Sequence, residues 1–217
     1  MSKTHYKIIK RFLDLIISFF LLLFFSPLLI LVSFLILVSD GKHIFVKEPL
    51  RHGSGGKEFK MFKFRTMIPN AHRELLENPE YAQLKAIWEQ NNKLSLKEDT
   101  RVTWIGKILR KTDIDELPQL LNVLIGQMCI VGPRPTYNIE IVTHLKKCPE
   151  DEKYLKEIFK VKPGMTGIWQ VSGRNNIPLH QRLVMEAKYA QNITFSSDLK
   201  ILLKTPKVVL TRKGAYE

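Results

Sequence analysis

The chain has 217 residues, enough for one domain of ordinary size plus an extra element. Its 34 Lys+Arg against 21 Asp+Glu leave a net charge of +13, which points to an anionic partner: nucleic acid, anionic lipid or a phosphorylated substrate. Two cysteines, Cys129 and Cys148, exclude a disulfide framework, and the histidines never pair as H-x-x-x-H or H-E-x-x-H. A zinc site is therefore not expected, and a reduced, cytosol-facing protein fits best.

Residues 15–38, LIISFFLLLFFSPLLILVSFLILV, carry no charge over 24 positions. A bilayer core of about 30 Å needs about 20 helical residues, so length alone allows a single span. No A-x-A cleavage site follows, so this is no secretory signal. The flanks oppose a span. Lys3, Lys7, Lys10 and Arg11 precede the run; Lys42, Lys47, Arg51, Lys57, Lys60 and Lys63 follow it. Both ends therefore ask for the cytoplasmic side. Pro27 removes an amide donor near the midpoint and kinks a helix there, while the Ser26 hydroxyl can cap the freed carbonyl. These features predict a re-entrant helix-break-helix. Its flanking charges would sit among anionic headgroups, each contributing about 1 kcal/mol.

After this segment, runs at 44–50 and 58–66 flank a Gly-Ser-Gly-Gly turn and read as a hairpin. The stretch GSGGKE is no P-loop: Arg51 stands where its first Gly belongs, and Glu58 replaces the Ser/Thr that holds magnesium. Residues 70–92 read as a charged helix interrupted near Asn78-Pro79. In DTRVTWIGKILRKT, Val102, Ile105, Ile108 and Leu109 form one apolar face, with Lys107, Arg110 and Lys111 elsewhere. The C-terminal DLKILLKTPKVVLTRKGAYE interleaves Leu199, Leu202, Leu203 and Val208, Val209, Leu210 with lysines. Basic amphipathic stretches of this kind lie in headgroup regions.

The stretch TDIDELPQLLNVLIGQ crowds Asp113, Asp115 and Glu116 into four positions of this basic chain. Pro118 suits the first turn of a helix and Gly126 its end, which predicts a helix over 116–125 with Asp115 at or near the N-cap. Asp115 is then expected to be ionised, at a place that attracts phosphate or a magnesium-phosphate unit. Such paired carboxylates can hold Mg²⁺, or one can act as nucleophile. Plain capping fits as well, since Asp113 and Glu116 match a capping box. Two Gly- or Pro-fixed loops, VGPRPTYN with Arg134 and KPGMTGIWQVSGRN with Arg174, carry cations suited to phosphate, and KFRTM contributes Lys63 and Arg65.

Together, KRFLD, Ser26-Pro27, RHGSGGKEF, KFRTM, DTRVTWIGKILRKTDIDELPQLLNVLIGQM, VGPRPTYN and KPGMTGIWQVSGRN resemble the bacterial monotopic phosphoglycosyl transferases, the polyprenyl-phosphate sugar-phosphotransferases. The resemblance extends over nearly the whole chain, in its catalytic-unit-only form. It implies an α+β, mostly helical monotopic membrane protein: residues 1–40 a re-entrant membrane helix with a basic flank, residues 41–217 a cytosolic catalytic domain with a small β-hairpin and amphipathic interfacial helices. It implies transfer of a hexose-1-phosphate, of galactose or glucose type, from a UDP-sugar to undecaprenyl phosphate with release of UMP. It further implies a dyad of Asp115 and Glu116 holding Mg²⁺, with Asp115 forming a covalent phosphosugar. Phosphate binding falls to Lys63, Arg65, Arg101, Gly132, Arg134 and Arg174. Asp113 lies outside the dyad as a capping or solvated acid. The implied setting is the cytoplasmic face of a bacterial inner membrane, with both termini cytosolic, an anionic lipid surface, no nucleic acid, and a homodimer admitted.

Two rival readings stand beside this one. Asp113-Ile114-Asp115 is also a D-x-D motif, as in metal-dependent glycosyltransferases that release UDP, but that fold needs alternating strands and helices ahead of the motif. A non-enzymatic basic membrane anchor accounts for the charge, but not for an acidic pair beside rigid arginine loops.

Overall fold

A computed structural model describes residues 3–40, 43–46, 49–91, 94, 98–212 and 214. Lys42, Lys47, Asn92 and most of the terminal RKGAY stretch lie outside the described residues. The apolar run lies within one helix, α1 (Lys3–Asp40), which continues through Pro27, so the expected helix-break-helix is instead a single unbroken helix. Pro27 has no N–H to give the carbonyl of Leu23, and the Ser26 hydroxyl donates to that oxygen instead, at 2.8 Å. The expected capping by Ser26 is thus present, and it keeps the helix hydrogen-bonded across the proline.

α1 is long and apolar enough to cross a membrane over His5–Ser39. Its burial is confined to its two ends. Tyr6, Asp14 and Ser18 are buried near the N-terminus, and Val32 and Ile36 near the C-terminus, while Phe19, Phe20, Leu23 and Phe24 between them are exposed. Both halves rest on the same folded body. Ile17 and Leu22 join a cluster with Leu120, Val123, Met128 and Val131, whereas Val32 and Ile36 pack with Phe64, Ile105 and Leu109.

Several flanking cations point into that body. Lys10 pairs with Asp198 and donates to the Val131 carbonyl. Arg11 donates to the Val123 and Leu124 carbonyls at 2.6 and 2.8 Å. Arg51 is buried, with its guanidinium carbon 3.1 Å from the Tyr137 ring centroid. These three were expected among headgroups. Carbonyls, a carboxylate and an aromatic face offer them partners that hold geometry, so they brace α1 and the sheet instead.

The hairpin forms with shifted strands. β1 (Arg51–His52) pairs antiparallel with β2 (Glu58–Phe59), joined through a 3-10 turn at Ser54–Gly56. The two arms meet again farther from the turn, offset by one residue from the β1–β2 register: Phe45 bridges Phe64, and Val46 donates to the Lys63 carbonyl at 2.9 Å. The far edge of β1 is covered by β4 (Thr136–Tyr137). The expected charged helix is two, α2 (Ala71–Glu77) and α3 (Ala82–Asn91), split where Asn78 caps the Pro79 turn. α4 (Trp104–Thr112) begins at Thr103, whose hydroxyl accepts from Gly106 N. Ile105 and Leu109 are buried, but Ile108 is 53% exposed beside exposed Trp104. Ile108 therefore belongs to an outer stripe rather than to the inner face expected of it.

α5 (Gln119–Leu124) leads into β3 (Cys129–Val131), which lies parallel to β5 (Gly164–Thr166). Between these strands run α6 (Asn138–Lys147) and α7 (Glu152–Ile158). The chain then forms α8 (Ile168–Ser172), α9 (Leu179–Gln191) and α10 (Phe195–Thr211). Leu155 and Ile158 of α7 pack on Leu183 and Ala187 of α9. α10 buries Asp198 and Ile201, and exposes Phe195, Leu199, Leu203 and Leu210 at helical spacing along one side. The fold is thus α+β and mostly helical, with small sheets and one long apolar helix.

Candidate active site

Residues after β2 run extended, and their side chains alternate between faces. Phe64 turns into the core and stacks on Phe45, with ring centroids 5.7 Å apart. Lys63 therefore points the other way. Three bonds hold this stretch: Phe62 N donates to Asn122 Oδ1 at 2.8 Å, Asn122 Nδ2 donates to the Lys60 carbonyl at 2.8 Å, and Phe64 N donates to the Asp115 carbonyl at 3.0 Å. Asn122 is fully buried, so the lysine stands on a rigid rail.

The acids occupy a corner between α4 and α5. Asp113 ends α4 in the left-handed region, at φ 55°, and turns the chain into a 3-10 turn over Ile114–Glu116. Pro118 then precedes α5, and Gly126 follows its end at φ 85°. The helix expected from residue 116 thus starts at Gln119, and Asp115 is not its N-cap. Asp113 makes no capping bond either. Reversal at Asp113 spends the residues that would have formed the first helical turn, and the tight turn aims Asp115 inward.

Lys63 Nζ lies 2.9 Å from Asp115 Oδ2 and 3.0 Å from Glu116 Oε1. Arg134 Nη2 lies 3.6 Å from the same Glu116 oxygen. Asp115 is 2% exposed, while the Lys63, Glu116 and Arg134 side chains are 23–26% exposed and form the open side of the cluster. Burial pushes the Asp115 carboxyl above the ordinary carboxylate range, against the pull of Lys63 and Arg110. Burial opposes ionisation of Glu116 as well, yet Lys63, Arg134 and Arg51 together hold its carboxyl well below that range. Lys63 is held above its ordinary value: burial lowers it, but the two acids raise it more.

Arg134 is set from behind. Its backbone N–H donates to Glu186 Oε1 at 2.8 Å, and its carbonyl accepts from Arg182 Nη2 at 3.1 Å. The Arg134 and Arg182 guanidinium carbons lie 5.2 and 4.9 Å from the Trp169 ring centroid. The loop after β3 presses on the β5 segment so closely that a Cβ on Gly164 would fall 2.0 Å from Gly132 N, and one on Gly167 2.1 Å from Gly132 O. Glycine is required there by contact between two backbones.

The remaining expected phosphate ligands have other partners. Gly132 donates its N–H to the Thr166 carbonyl at 2.9 Å. Arg174 Nη2 donates to Asp113 Oδ2 at 2.9 Å, so Asp113 is an ion-pair partner rather than a capping or solvated acid. Arg65 is buried and donates to the carbonyls of His43 and Met67. Arg101 is buried and grips Asp99 through two nitrogens at 2.8 Å, while its third donates to the Ala71 carbonyl. Lys63 and Arg134 are thus the two expected cations that the fold brings onto the Asp115–Glu116 pair.

A cluster of one buried and one ionised carboxylate, crossed by a fixed lysine and opened toward an arginine, suits capture and displacement of a phosphoryl group. The model of the bacterial sugar transferase family matches residues 5–212. The chain belongs to that family. It is 41% identical over 219 residues to the undecaprenyl-phosphate galactose phosphotransferase of Salmonella typhimurium, covering all of this chain and 43% of that protein. It is 40% identical over 211 residues to the exopolysaccharide production protein ExoY of Sinorhizobium fredii, covering 95% of this chain and 88% of that one. A UDP-glucose:undecaprenyl-phosphate glucose-1-phosphate transferase of Caulobacter vibrioides is 38% identical over 213 residues, covering 95% of this chain and 72% of its own length. The chain spans less than half the length of the first three relatives, 43–44%.

In this family member, sequence reasoning passed over Asn122, Arg182 and Glu186, which hold Lys63 and Arg134 in place. The one signal was Arg182 and Glu186 one helical turn apart among residues of apolar spacing, Leu183 and Ala187.

Proposed function

We propose that this chain transfers a hexose-1-phosphate, of galactose or glucose type, from a UDP-sugar to undecaprenyl phosphate and releases UMP. The observation that carries the reading is the Asp115 carboxylate, buried against Lys63 beside an ionised Glu116. The relatives' names give the substrate class. An Asp115 oxygen attacks the β-phosphorus of the donor. The phosphorus–oxygen bond to UMP breaks, and the sugar phosphate stays on Asp115 as an acyl phosphate. An oxygen of the polyprenyl phosphate then attacks the same phosphorus and frees the carboxylate. Lys63 lowers the Asp115 carboxyl toward its reactive form, and Arg134 meets the negative charge that builds on the phosphoryl oxygens.

The hard oxygen donors of Asp115 and Glu116 fit Mg²⁺, and a cation already bridges the two groups in the form of the Lys63 ammonium. When bound there, Mg²⁺ would neutralise charge on the donor diphosphate. Against the D-x-D reading stands the divergence of its two acids, Asp113 being turned to Arg174 and Asp115 to Lys63.

The same reading places α1 as a re-entrant membrane helix, on the cytoplasmic face of a bacterial inner membrane, with both termini cytosolic. Anchorage of both α1 halves on one body supports it, since a span through lipid would carry one half away. The residues from 19 to 31 that stand clear of the body are those left for lipid.

The test is to incubate the protein with labelled UDP-sugar and no acceptor, then digest it. A sugar-phosphate mass on the peptide holding Asp115 is the expected result. An unmodified peptide under conditions of proven turnover would refute the covalent route.

A further inference from the structure

We propose a second, soft-metal site of the Zn²⁺ class, built from His144, Cys148 and Asp151 with His180 at its rim. It lies at the corner between α6 and α7 and is independent of the sugar-transfer reading. His144 is in the last turn of α6, and Cys148 follows the helix as its cap, with its N–H on the His144 carbonyl at 2.9 Å. Asp151 ends the 3-10 turn that leads into α7.

His144 Nε2 is 2.7 Å from Asp151 Oδ2, and His180 Nδ1 is 2.9 and 2.8 Å from the two Asp151 oxygens. The ligand atoms of His144, Cys148 and Asp151 all lie within 4.8 Å of one another. Tetrahedral zinc bonds of about 2.0–2.3 Å set ligand atoms about 3.3–3.8 Å apart, so on binding the 2.7 Å His144–Asp151 hydrogen bond opens to admit the ion while separations as wide as 4.8 Å close. Asp151 supplies the second indication. It stands at the N-terminal boundary of α7, where an aspartate normally caps helix amides, yet it makes no capping bond. Its wholly buried carboxylate is given over to the imidazoles.

One nitrogen, one sulfur and one oxygen make a zinc set and a poor magnesium set. The expectation of no zinc site followed from the lack of H-x-x-x-H and H-E-x-x-H pairs. Here the spacing is H-x-x-x-C-x-x-D across a helix end. Binding displaces the Cys148 thiol proton and leaves His144 protonated on Nδ1, with Nε2 on the metal. His180 then either takes the fourth position or stays on the free Asp151 oxygen. Either way the ion ties the α6–α7 corner to α9, whose Arg182 and Glu186 hold Arg134.

The test is a Co²⁺ titration of the full chain in detergent, with excess Mg²⁺ present to occupy hard-oxygen sites. A thiolate-to-cobalt charge-transfer band should saturate at one equivalent and bleach with Zn²⁺. Cys148→Ala should abolish the band, and His144→Ala should weaken binding by about 10–100-fold. Zn²⁺ should also slow alkylation of Cys148 in the unaltered chain, a reading that needs no variant to fold. Absence of the band in the unaltered chain, its survival in Cys148→Ala, or unchanged alkylation of Cys148 would each overturn the proposal.

Discussion

Glu186 Oε1 accepts the backbone N–H of Arg134 at 2.8 Å while Glu186 Oε2 accepts from Arg182 Nε at 3.3 Å. One wholly buried carboxylate thus fixes both the chain that carries Arg134 and the second arginine on the Trp169 ring. Burial raises the Glu186 carboxyl, and Arg182 with the Arg134 amide pulls against that rise. Glu186→Ala leaves Arg182 buried with less compensation, at a cost of about 3 kcal/mol. The denaturation midpoint should fall, and at temperatures where the variant stays folded the donor KM should rise as Arg134 loosens. Glu186→Gln, which keeps one acceptor, should recover part of the KM effect. Equal KM values in all three proteins would detach Glu186 from the site.

Lys63 gives a pH prediction with a definite sign. Protonated Asp115 cannot attack phosphorus, so kcat should rise with pH as Asp115 ionises. Burial already places that carboxyl above the ordinary range, and Lys63 opposes the shift. Removing the lysine in Lys63→Met raises the Asp115 carboxyl further. The acidic limb of the pH–rate profile should then move to higher pH, with the plateau reduced about 10²-fold through loss of phosphoryl-charge stabilisation. A limb that stays in place, or moves to lower pH, would show that another group titrates there.

The pattern of success and failure in reading this sequence has physical causes. Asp115, Glu116, Lys63 and Arg134, which the fold brings together, could be singled out as candidates because short motifs carry them: a run of acids, the KFRTM stretch, an arginine between prolines. The α1 segment was legible from 24 uncharged positions, but the break expected at its Ser-Pro step does not form, because the Ser26 hydroxyl takes up the Leu23 carbonyl and the helix runs through Pro27. What stayed hidden depends on partners far along the chain. Arg101 and Arg65 carry the same charge as Arg134, yet the fold buries them against Asp99 and against loop carbonyls. Asp99, two residues before Arg101, was a visible partner in the sequence, but the distant carbonyls of Ala71 and His43 that complete the two burials were not. The start of α5 was misplaced because Asp113 adopts a left-handed turn, an option that Asp tolerates but does not signal.

Asp113 separates the proposed route from the D-x-D rival. Its pair with Arg174 is partly exposed, at 35% and 13%, and such pairs are worth about 0–1 kcal/mol. Asparagine tolerates the left-handed backbone at this position. Asp113→Asn should therefore keep activity within a few-fold and still release UMP. Asp115→Asn should lose more than about 10³-fold, as removal of a covalent nucleophile does, with membrane association retained. Comparable losses in the two variants, or UDP as the product, would favour the rival.

The Ser26-Pro27 step must act against tethers that the sequence did not show. If α1 is re-entrant as proposed, Pro27→Leu restores an amide for the Leu23 carbonyl and removes the local reason to bend in lipid. The N-terminal half of α1 is still tied to the body, however, through Lys10 on Asp198, Arg11 on Leu124, and Asp14 Oδ1, which accepts from Ile130 N at 3.0 Å. Each buried, charge-assisted bond of this kind contributes about 1.5–3 kcal/mol. Pro27→Leu alone should therefore leave most N-termini on the cytosolic side. Pro27→Leu combined with Asp14→Ala should shift them across the membrane in a protease-protection assay on oriented vesicles. If the single variant already crosses fully, the tethers carry no weight; if the double variant stays wholly cytosolic, the proline is not what bends the helix.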